Sequence, residues 1–207
     1  MNNHRTILLF LIVTALACVA GYALFDAPVA LFFRAYREST GYAVWKLLTR
    51  AGESQWYLVA GLLLFAVFRK SRPFAARAGL FLFSSVAVSG IAADLLKMLF
   101  GRARPRLFFQ QGVYGFDLLR VEHAWISFPS GHAATAASAA LTLSLLFPRF
   151  RAVFLCAGTV IALSRVVLTQ HYLSDVIAGA FLGVSTVLFL YRIHFQQSLH
   201  ESRSPTI

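Results

Sequence analysis

Residues 152–191 read AVFLCAGTVIALSRVVLTQHYLSDVIAGAFLGVSTVLFLY and consist of two apolar runs separated by a short polar segment. Each run, Ala152–Leu168 and Ser174–Tyr191, is close to the ~20 apolar residues that a helix needs to cross a bilayer. The polar segment and the run ends beside it carry an arginine, a histidine and an aspartate. This stretch therefore predicts two membrane-spanning helices with ionisable side chains at the end that they share.

The same pattern of apolar runs extends over the whole 207-residue chain. Hydrophobic residues make up 58% and charged residues 13%, against about 45–50% and about 25% in soluble domains. This composition cannot cover a water-facing surface, so we predict one all-α integral membrane domain over residues 1–207. Six transmembrane helices in an antiparallel bundle are predicted, at Thr6–Phe25, Glu53–Phe68, Phe74–Phe100, Gly131–Phe147, Ala152–Leu168 and Ser174–Tyr191.

The N-terminal part of the chain allows two interpretations. The first apolar run has the basic start of a secretory signal peptide, but it is longer than the usual apolar core of about 7–15 residues and lacks a clean cleavage site. We therefore expect a retained helix. Between the first two spans, Val29–Phe33 lies beside Arg34 and Arg37, which favours a short helix lying in the membrane interface.

The net charge of +11 would suggest a nucleic-acid partner for a soluble protein. Here the basic residues lie in short loops between apolar runs, where they flank a membrane, so we expect no nucleic-acid partner. Lys and Arg residues divide almost evenly between the segments on the two sides of the membrane. If three of the cations on the side opposite the N-terminus bind a substrate, the remaining cations are in excess on the side of the N-terminus. Because cytoplasmic loops carry the excess of Lys and Arg, this places the N-terminus in the cytoplasm. We then expect a bacterial inner-membrane protein whose polar segments face the periplasm or the exterior.

Chemically specific residues interrupt the apolar pattern in three short segments. These are Lys97-x6-Arg104-Pro105, then Pro129-Ser130-Gly131-His132, then Ser164-Arg165-x5-His171-x3-Asp175. They lie at the end of the third span, the start of the fourth, the end of the fifth and the start of the sixth. In an antiparallel bundle those four ends share one side, so we predict that the segments converge at one face of the membrane.

The cations and small residues of these segments suit a phosphoryl group. Its transition state spreads negative charge over the equatorial oxygens, and Lys97, Arg104 and Arg165 would bring three positive charges to them. Ser130 and Gly131 precede a predicted helix, whose first N–H groups favour anions. A glycine lets the backbone approach the ligand closely.

The two histidines suit nucleophilic catalysis. His171 and Asp175 are four residues apart and share one helical face, so the carboxylate can fix the imidazole tautomer while the other ring nitrogen attacks phosphorus. His132 comes from another helix and is placed to protonate the leaving oxygen. We predict a phosphohistidine intermediate that water hydrolyses, with no metal and no cofactor.

At these residues the chain resembles the type-2 phosphatidic acid phosphatase superfamily, whose pattern is K-x6-R-P, P-S-G-H and S-R-x5-H-x3-D. The corresponding segments are KMLFGRARP, PSGH and SRVVLTQHYLSD, so every spacing within a core of about residues 97–175 is met. The resemblance implies a metal-independent phosphatase fold of six helices. It also implies phosphate binding by Lys97, Arg104, Ser130, Gly131 and Arg165, with His171 as nucleophile, His132 as acid and Asp175 as the partner of His171.

The motifs do not specify the substrate or the roles of the residues beside them. A membrane lipid substrate is expected, with a polyprenyl diphosphate such as an undecaprenyl carrier favoured over phosphatidylglycerol phosphate or a lipid A phosphate. A lipid phosphotransferase and a transporter or lipid-binding protein without turnover are the alternatives, and no obligate protein partner is expected. Arg102 and Arg106 would contact either a lipid headgroup or water. We expect Asp94 to pair with Lys97, and His123 to be a solvated loop residue.

Overall fold

The computed structural model describes residues 3–203, most of which lie in helices. Within this range, β structure is limited to one isolated bridge between Arg102 and Phe116, so the all-α prediction is confirmed for the described part of the chain. The α-helices are α1 Asn3–Ala20, α2 Asp26–Tyr36, α3 Tyr42–Arg50, α4 Ser54–Phe68, α5 Pro73–Phe100, α6 Pro105–Gln111, α7 Gly131–Leu146, α8 Arg151–Val167, α9 Leu173–Leu190 and α10 Gln196–Arg203.

Within residues 3–203, five helical stretches are long and apolar enough to cross a membrane, which confirms an integral membrane protein. They are Leu8–Tyr36, Tyr42–Phe68, Pro73–Phe100, Pro148–Val167 and Leu173–Ser202, and each overlaps one of the six predicted spans. The remaining span corresponds to α7, which has 16 residues. At about 1.5 Å per residue it is about 24 Å long, shorter than the ~30 Å hydrocarbon core. The count of six therefore stays a prediction.

The short helix α7 is enclosed by other helices. It packs against α5, α8 and α9, and ten of its residues are buried. Its sequence, GHAATAASAALTLSLL, is dominated by small side chains, which let neighbouring backbones approach closely in a membrane. Because protein covers most of its surface, α7 does not need the lipid-facing length of the outer helices.

Helix α9 lies directly against α7 through two glycines. A Cβ atom on Gly179 would be 2.3 Å from the carbonyl oxygen of Ser130, and one on Gly183 would be 2.4 Å from that of Ala134. Both distances are too short for any side chain. This contact brings the start of α9 beside the start of α7, where the backbone N–H of Ser130 donates to the carbonyl oxygen of Asp175 at 2.9 Å.

The region between the first two predicted spans is helical. A π-helical turn, Gly21–Phe25, joins α1 to α2 without a break, so the first helix does not end at Phe25 as predicted. The expected short helix at Val29–Phe33 is part of α2, and its place in the membrane interface stays a prediction. A carboxylate is costly in lipid, but Asp26 at the start of α2 is buried in protein with 1% of its surface exposed, so the helix continues past it.

Candidate active site

His171 lies in the short connection between α8 and α9, with 4% of its side chain exposed. Its Nδ1 atom is 2.8 Å from the carbonyl oxygen of Ser127 and 3.5 Å from Oδ2 of Asp175. A carbonyl oxygen only accepts hydrogen bonds, so the contact with Ser127 requires the proton to be on Nδ1. In the neutral ring Nε2 is then unprotonated, which is the state that a nucleophile requires.

The carboxylate of Asp175 is fully buried and held by several donors. Its Oδ2 atom accepts hydrogen bonds from the Ser127 hydroxyl at 2.6 Å and from the backbone N–H of Tyr172 at 2.9 Å. Its Oδ1 atom accepts from the guanidinium group of Arg102. The predicted pairing of Asp175 with His171 is therefore present at ion-pair distance, but Ser127 joins the two through its hydroxyl and its carbonyl oxygen.

Arg102 is fully buried, so the prediction that it would contact a lipid headgroup or water is wrong. Its guanidinium group pairs with Asp26 at 2.7 Å and with Asp175, and it donates to the Ser174 hydroxyl at 2.7 Å. Asp26 lies on α2, which is 76 residues away in sequence. The prediction failed because a basic residue beside Arg104 carries no sign of a carboxylate supplied by another helix.

Aromatic rings complete the surroundings of Arg102. The ring centroids of Tyr22, Tyr114, Phe116 and Tyr172 lie 4.5–5.7 Å from its central guanidinium carbon, within the range of cation–π attraction. Burial raises the pKa of Tyr114 to about 12, although the charge of Arg102 lowers it, so this phenol stays neutral. Arg102 is thus a fixed internal cation that orients Asp175 through Oδ1, the carboxylate oxygen that does not face His171.

Lys97, Gly131 and His132 line a cavity of about 190 Å³ at the start of α7. The Lys97 ammonium group is 2.7 Å from Asp94, as expected, and would be 2.9 Å from a Cβ atom on Gly131. Ser130 is buried and caps α7, because its hydroxyl oxygen accepts from the backbone N–H of Ala133 at 3.4 Å. A cation, a histidine and a helix N-terminus therefore meet at one cavity, which Glu53 and Asp94 also line. The helix N-terminus is the part of this lining that favours an anion.

Arg104 precedes α6 and is held in place by backbone carbonyl oxygens. It donates to His123 at 2.9 Å, to Ile126 at 3.4 Å and to Gln170 at 3.5 Å. The last contact places its guanidinium group beside the residue that precedes His171. Burial lowers the pKa of Arg104, but arginine stays protonated at any physiological pH.

Arg165 lies near the end of α8 and is also partly buried. One of its terminal nitrogens donates to the Thr49 hydroxyl on α3 at 3.0 Å. Its Nε atom is buried and has no hydrogen-bond partner among the residues that the structure describes. Since the nitrogens of arginine form a fork that matches two phosphate oxygens, this free donor is suited to an anionic ligand.

The charge state of the predicted nucleophile follows from its surroundings. Burial, together with the positive charges of Arg104 and Arg165, lowers the pKa of His171 to about 4, although Asp175 acts in the opposite direction. His171 is therefore neutral at physiological pH. The predicted convergence of the three segments is confirmed as geometry, while the chemical roles of their residues stay predictions.

Sequence reasoning missed three residues that organise this site. Ser127 lies just before the second segment, and nothing marks its hydroxyl or its carbonyl oxygen as special. Thr49 lies on a helix that carries none of the segments. Asp26 does have a signal in the sequence, because an acidic residue beside a long apolar run is costly in lipid unless it is paired.

Comparison with known proteins identifies the family. The model of the PAP2 superfamily matches residues 78–199, more than half of the chain. The chain belongs to the PAP2 superfamily. Among the PAP2 relatives, a lipid A 1-phosphatase of Rhizobium etli is 35% identical over 185 residues, which cover 84% of this chain and 78% of that protein. The predicted family is therefore confirmed, and so is a phosphatase as the class of enzyme.

Solved structures show the same PAP2 fold. LpxE of Aquifex aeolicus matches with a TM-score of 0.63 and 21% identity, over 81% of this chain and 95% of that one. The first transmembrane PAP2-type phosphatidylglycerolphosphate phosphatase from Bacillus subtilis matches with a TM-score of 0.58 and 20% identity, over 97% and 96% of the two chains. At these identities the similarity concerns the helical membrane fold.

Proposed function

We propose that this PAP2 protein is a metal-independent lipid phosphatase that removes the 1-phosphate of a lipid A-type glycolipid through a phosphohistidine intermediate. The observation that supports the chemistry is the fixed tautomer of His171, whose Nδ1 proton is held by the Ser127 carbonyl oxygen at 2.8 Å. The substrate class is supported by the 35% identity to a lipid A 1-phosphatase over most of both chains.

In the first step Nε2 of His171 attacks phosphorus, and the bond between phosphorus and the lipid oxygen breaks. His132 donates a proton to that oxygen, so the lipid leaves as an alcohol. Lys97, Arg104 and Arg165 hold the equatorial oxygens, where charge develops. The imidazole becomes positively charged on phosphorylation, and the buried carboxylate of Asp175 stabilises that charge.

In the second step water attacks the phosphohistidine. His132, now unprotonated, takes a proton from the water, the nitrogen–phosphorus bond breaks, and inorganic phosphate is released. His171 returns to its neutral state, with its proton still on Nδ1. Transfer to an alcohol in place of water would make the enzyme a phosphotransferase, and the same residues would carry that reaction.

The relative changes the order of the candidate substrates. The sequence alone favoured a polyprenyl diphosphate, with lipid A and phosphatidylglycerol phosphates as alternatives. A curated relative that aligns with 84% of this chain acts on lipid A according to its name, so we place lipid A first.

A substrate panel tests this proposal. Phosphate release is measured from lipid A, phosphatidylglycerol phosphate and undecaprenyl diphosphate, with the purified protein in neutral detergent containing EDTA. We expect turnover to persist in EDTA and kcat/KM to be highest for lipid A. Loss of activity in EDTA would contradict the metal-independent mechanism, and a higher kcat/KM for either other lipid would contradict the substrate class.

The nucleophile is tested with His171→Gln. We expect kcat to fall by about 10³-fold or more, as for other nucleophiles, while the matched variant His200→Gln, at an exposed position of α10, keeps wild-type activity. With a substrate radiolabelled in the phosphate, wild type but not His171→Gln should retain label after rapid denaturation, in an acid-labile form. Label retained by His171→Gln would assign the nucleophile to another residue.

A further inference from the structure

A second and larger cavity, of about 710 Å³, lies beside Arg104. Its charged lining comes from the end of α2, the start of α6 and the loop before α7. The basic residues that line it are Arg34, Arg37, Arg104, Arg106 and His123. Among the described residues that form its wall there is no Asp or Glu. We call this space the basic cavity.

The positive charge of the basic cavity is not neutralised by neighbouring side chains. Within residues 3–203, no carboxylate lies within the 4.0 Å ion-pair distance of Arg34, Arg37 or Arg106. The guanidinium group of Arg34 lies 4.8 Å from the ring centroid of Phe109, which also lines the cavity. Unpaired arginines grouped around a concave space are the usual basis of phosphate recognition.

The pKa of His123 reflects the same positive charge. The charge of Arg104, then burial and the charges of Arg106 and Lys97, hold the pKa of His123 below its usual range. A neutral imidazole at the rim of the cavity can still donate one hydrogen bond. The expectation that His123 is only a solvated loop residue is therefore incomplete, since it is exposed but also lines the cavity.

The basic cavity is connected to the predicted reaction site through Arg104. This side chain lines the cavity and contacts Gln170, the residue before His171. A lipid whose reacting phosphate reaches His171 therefore has the basic cavity beside it. The volume of the cavity lies within the range of about 300–1,000 Å³ that is typical of small-molecule sites. The cavity is therefore large enough for a lipid headgroup, which is bigger than a single phosphate group.

We infer that the basic cavity binds a second anionic group on the headgroup of the same substrate molecule, with Arg34, Arg37 and Arg106 determining specificity. This inference rests on the proposed function and narrows it. The preferred substrates are lipids whose headgroup carries two phosphate groups, one hydrolysed at His171 and one held in the basic cavity. A headgroup with only the reacting phosphate leaves these arginines without a partner.

Two forms of lipid A test the inference: one with both phosphates, and one with the 1-phosphate alone. Wild type is compared with the double variant Arg34→Gln/Arg37→Gln in neutral detergent micelles free of anionic lipid. For the doubly phosphorylated form we expect the variant to lower kcat/KM by about tenfold or more, mainly through KM, because charged hydrogen bonds are lost. For the singly phosphorylated form we expect kcat/KM to be unchanged.

The matched control is Arg50→Gln, which removes an exposed arginine at the end of α3 that does not line the basic cavity. It should leave both substrates unaffected. An equal loss for both substrates, or no loss for either, would overturn the inference while leaving the proposed function intact. If wild type released no phosphate from either form, the proposed function itself would fail, and the inference with it.

Free inorganic phosphate is the other ligand that the arginines of the basic cavity would recognise. Adding inorganic phosphate to the assay distinguishes it from a phosphate group on the substrate. As a product it should inhibit wild type and the double variant equally on the singly phosphorylated substrate. If it changed the rate of wild type more than that of the variant, the cavity would bind free phosphate, and the assignment to the substrate would be overturned.

Discussion

At the scale of single residues, Ser127 determines which nitrogen of His171 carries the proton. Its carbonyl oxygen fixes the tautomer of the ring, and its hydroxyl donates to the carboxylate of Asp175. The predicted pair of His171 and Asp175 was correct in its partners, but the sequence could not show that a third residue lies between them. That contact joins the loop before α7 to the start of α9, and such contacts depend on the packing of the helices.

The lowered pKa of His171 predicts the pH dependence of the reaction. Only the neutral ring attacks, and its pKa is about 4, so protonation of His171 should lower log kcat/KM only as the pH falls toward about 4. An unperturbed histidine would place this decline near pH 6.5. The measurement is kcat/KM against pH for two substrates whose phosphates ionise differently. A decline that moves with the substrate would assign it to the phosphate group instead.

Asp26 should matter for stability, since it shares Arg102 with Asp175. Asp26→Asn keeps the size of the side chain but removes one partner of a buried ion pair, a change that typically costs about 3–5 kcal/mol. We expect a clearly lower midpoint of thermal unfolding in detergent. The control is Asp117→Asn, which breaks the exposed pair with Arg120 and should leave the midpoint nearly unchanged. Equal midpoints for the two variants would contradict a structural role of the Asp26–Arg102 pair.

At the scale of helices, the start of α7 is the element on which the site is built. Its sequence predicted a helix that begins after Ser130 and binds an anion, and the structure adds that the Lys97 ammonium group lies against Gly131. Motif spacing indicates that both residues belong to the site. It does not show that they touch, because Lys97 is carried by α5.

Gly131→Ala tests this contact. The added methyl would lie 2.9 Å from Lys97 Nζ, which is the flexible end of a side chain, so the protein should fold with an almost unchanged melting midpoint. The displaced ammonium group should lower kcat/KM by about tenfold or more, since fixed charges stabilise the transition state. Gly179→Ala should instead lower the midpoint, because its methyl would meet the Ser130 carbonyl oxygen at 2.3 Å. Wild-type activity in Gly131→Ala would exclude a role for the position of Lys97.

At the scale of the whole molecule, helix parity places the site and the loop at residues 69–72 on opposite sides of the membrane. The Lys and Arg residues divide almost evenly between the two sides of the membrane. We propose that the site faces the periplasm, because the loop at 69–72 is strongly basic and such loops stay in the cytoplasm.

Single cysteines test this orientation in a background without Cys18 and Cys156. A membrane-impermeant maleimide should label Gln111→Cys, at the end of α6, in intact bacterial cells, and should label Arg72→Cys only after lysis. The reverse pattern would place the active site in the cytoplasm.

The sequence by itself determined the all-helical membrane fold, the family and the eight residues of the predicted site. These follow from local patterns: runs of apolar residues fix where helices form, and motif spacing fixes which residues share a helix end. Only the tertiary structure decided that Arg102 is an internal cation held by Asp26, that Ser127 orients His171, and that Arg34 and Arg37 share a cavity with Arg104. These arrangements join residues of different helices. Their energies come from burial and pairing across the bundle, which no local pattern along the chain contains.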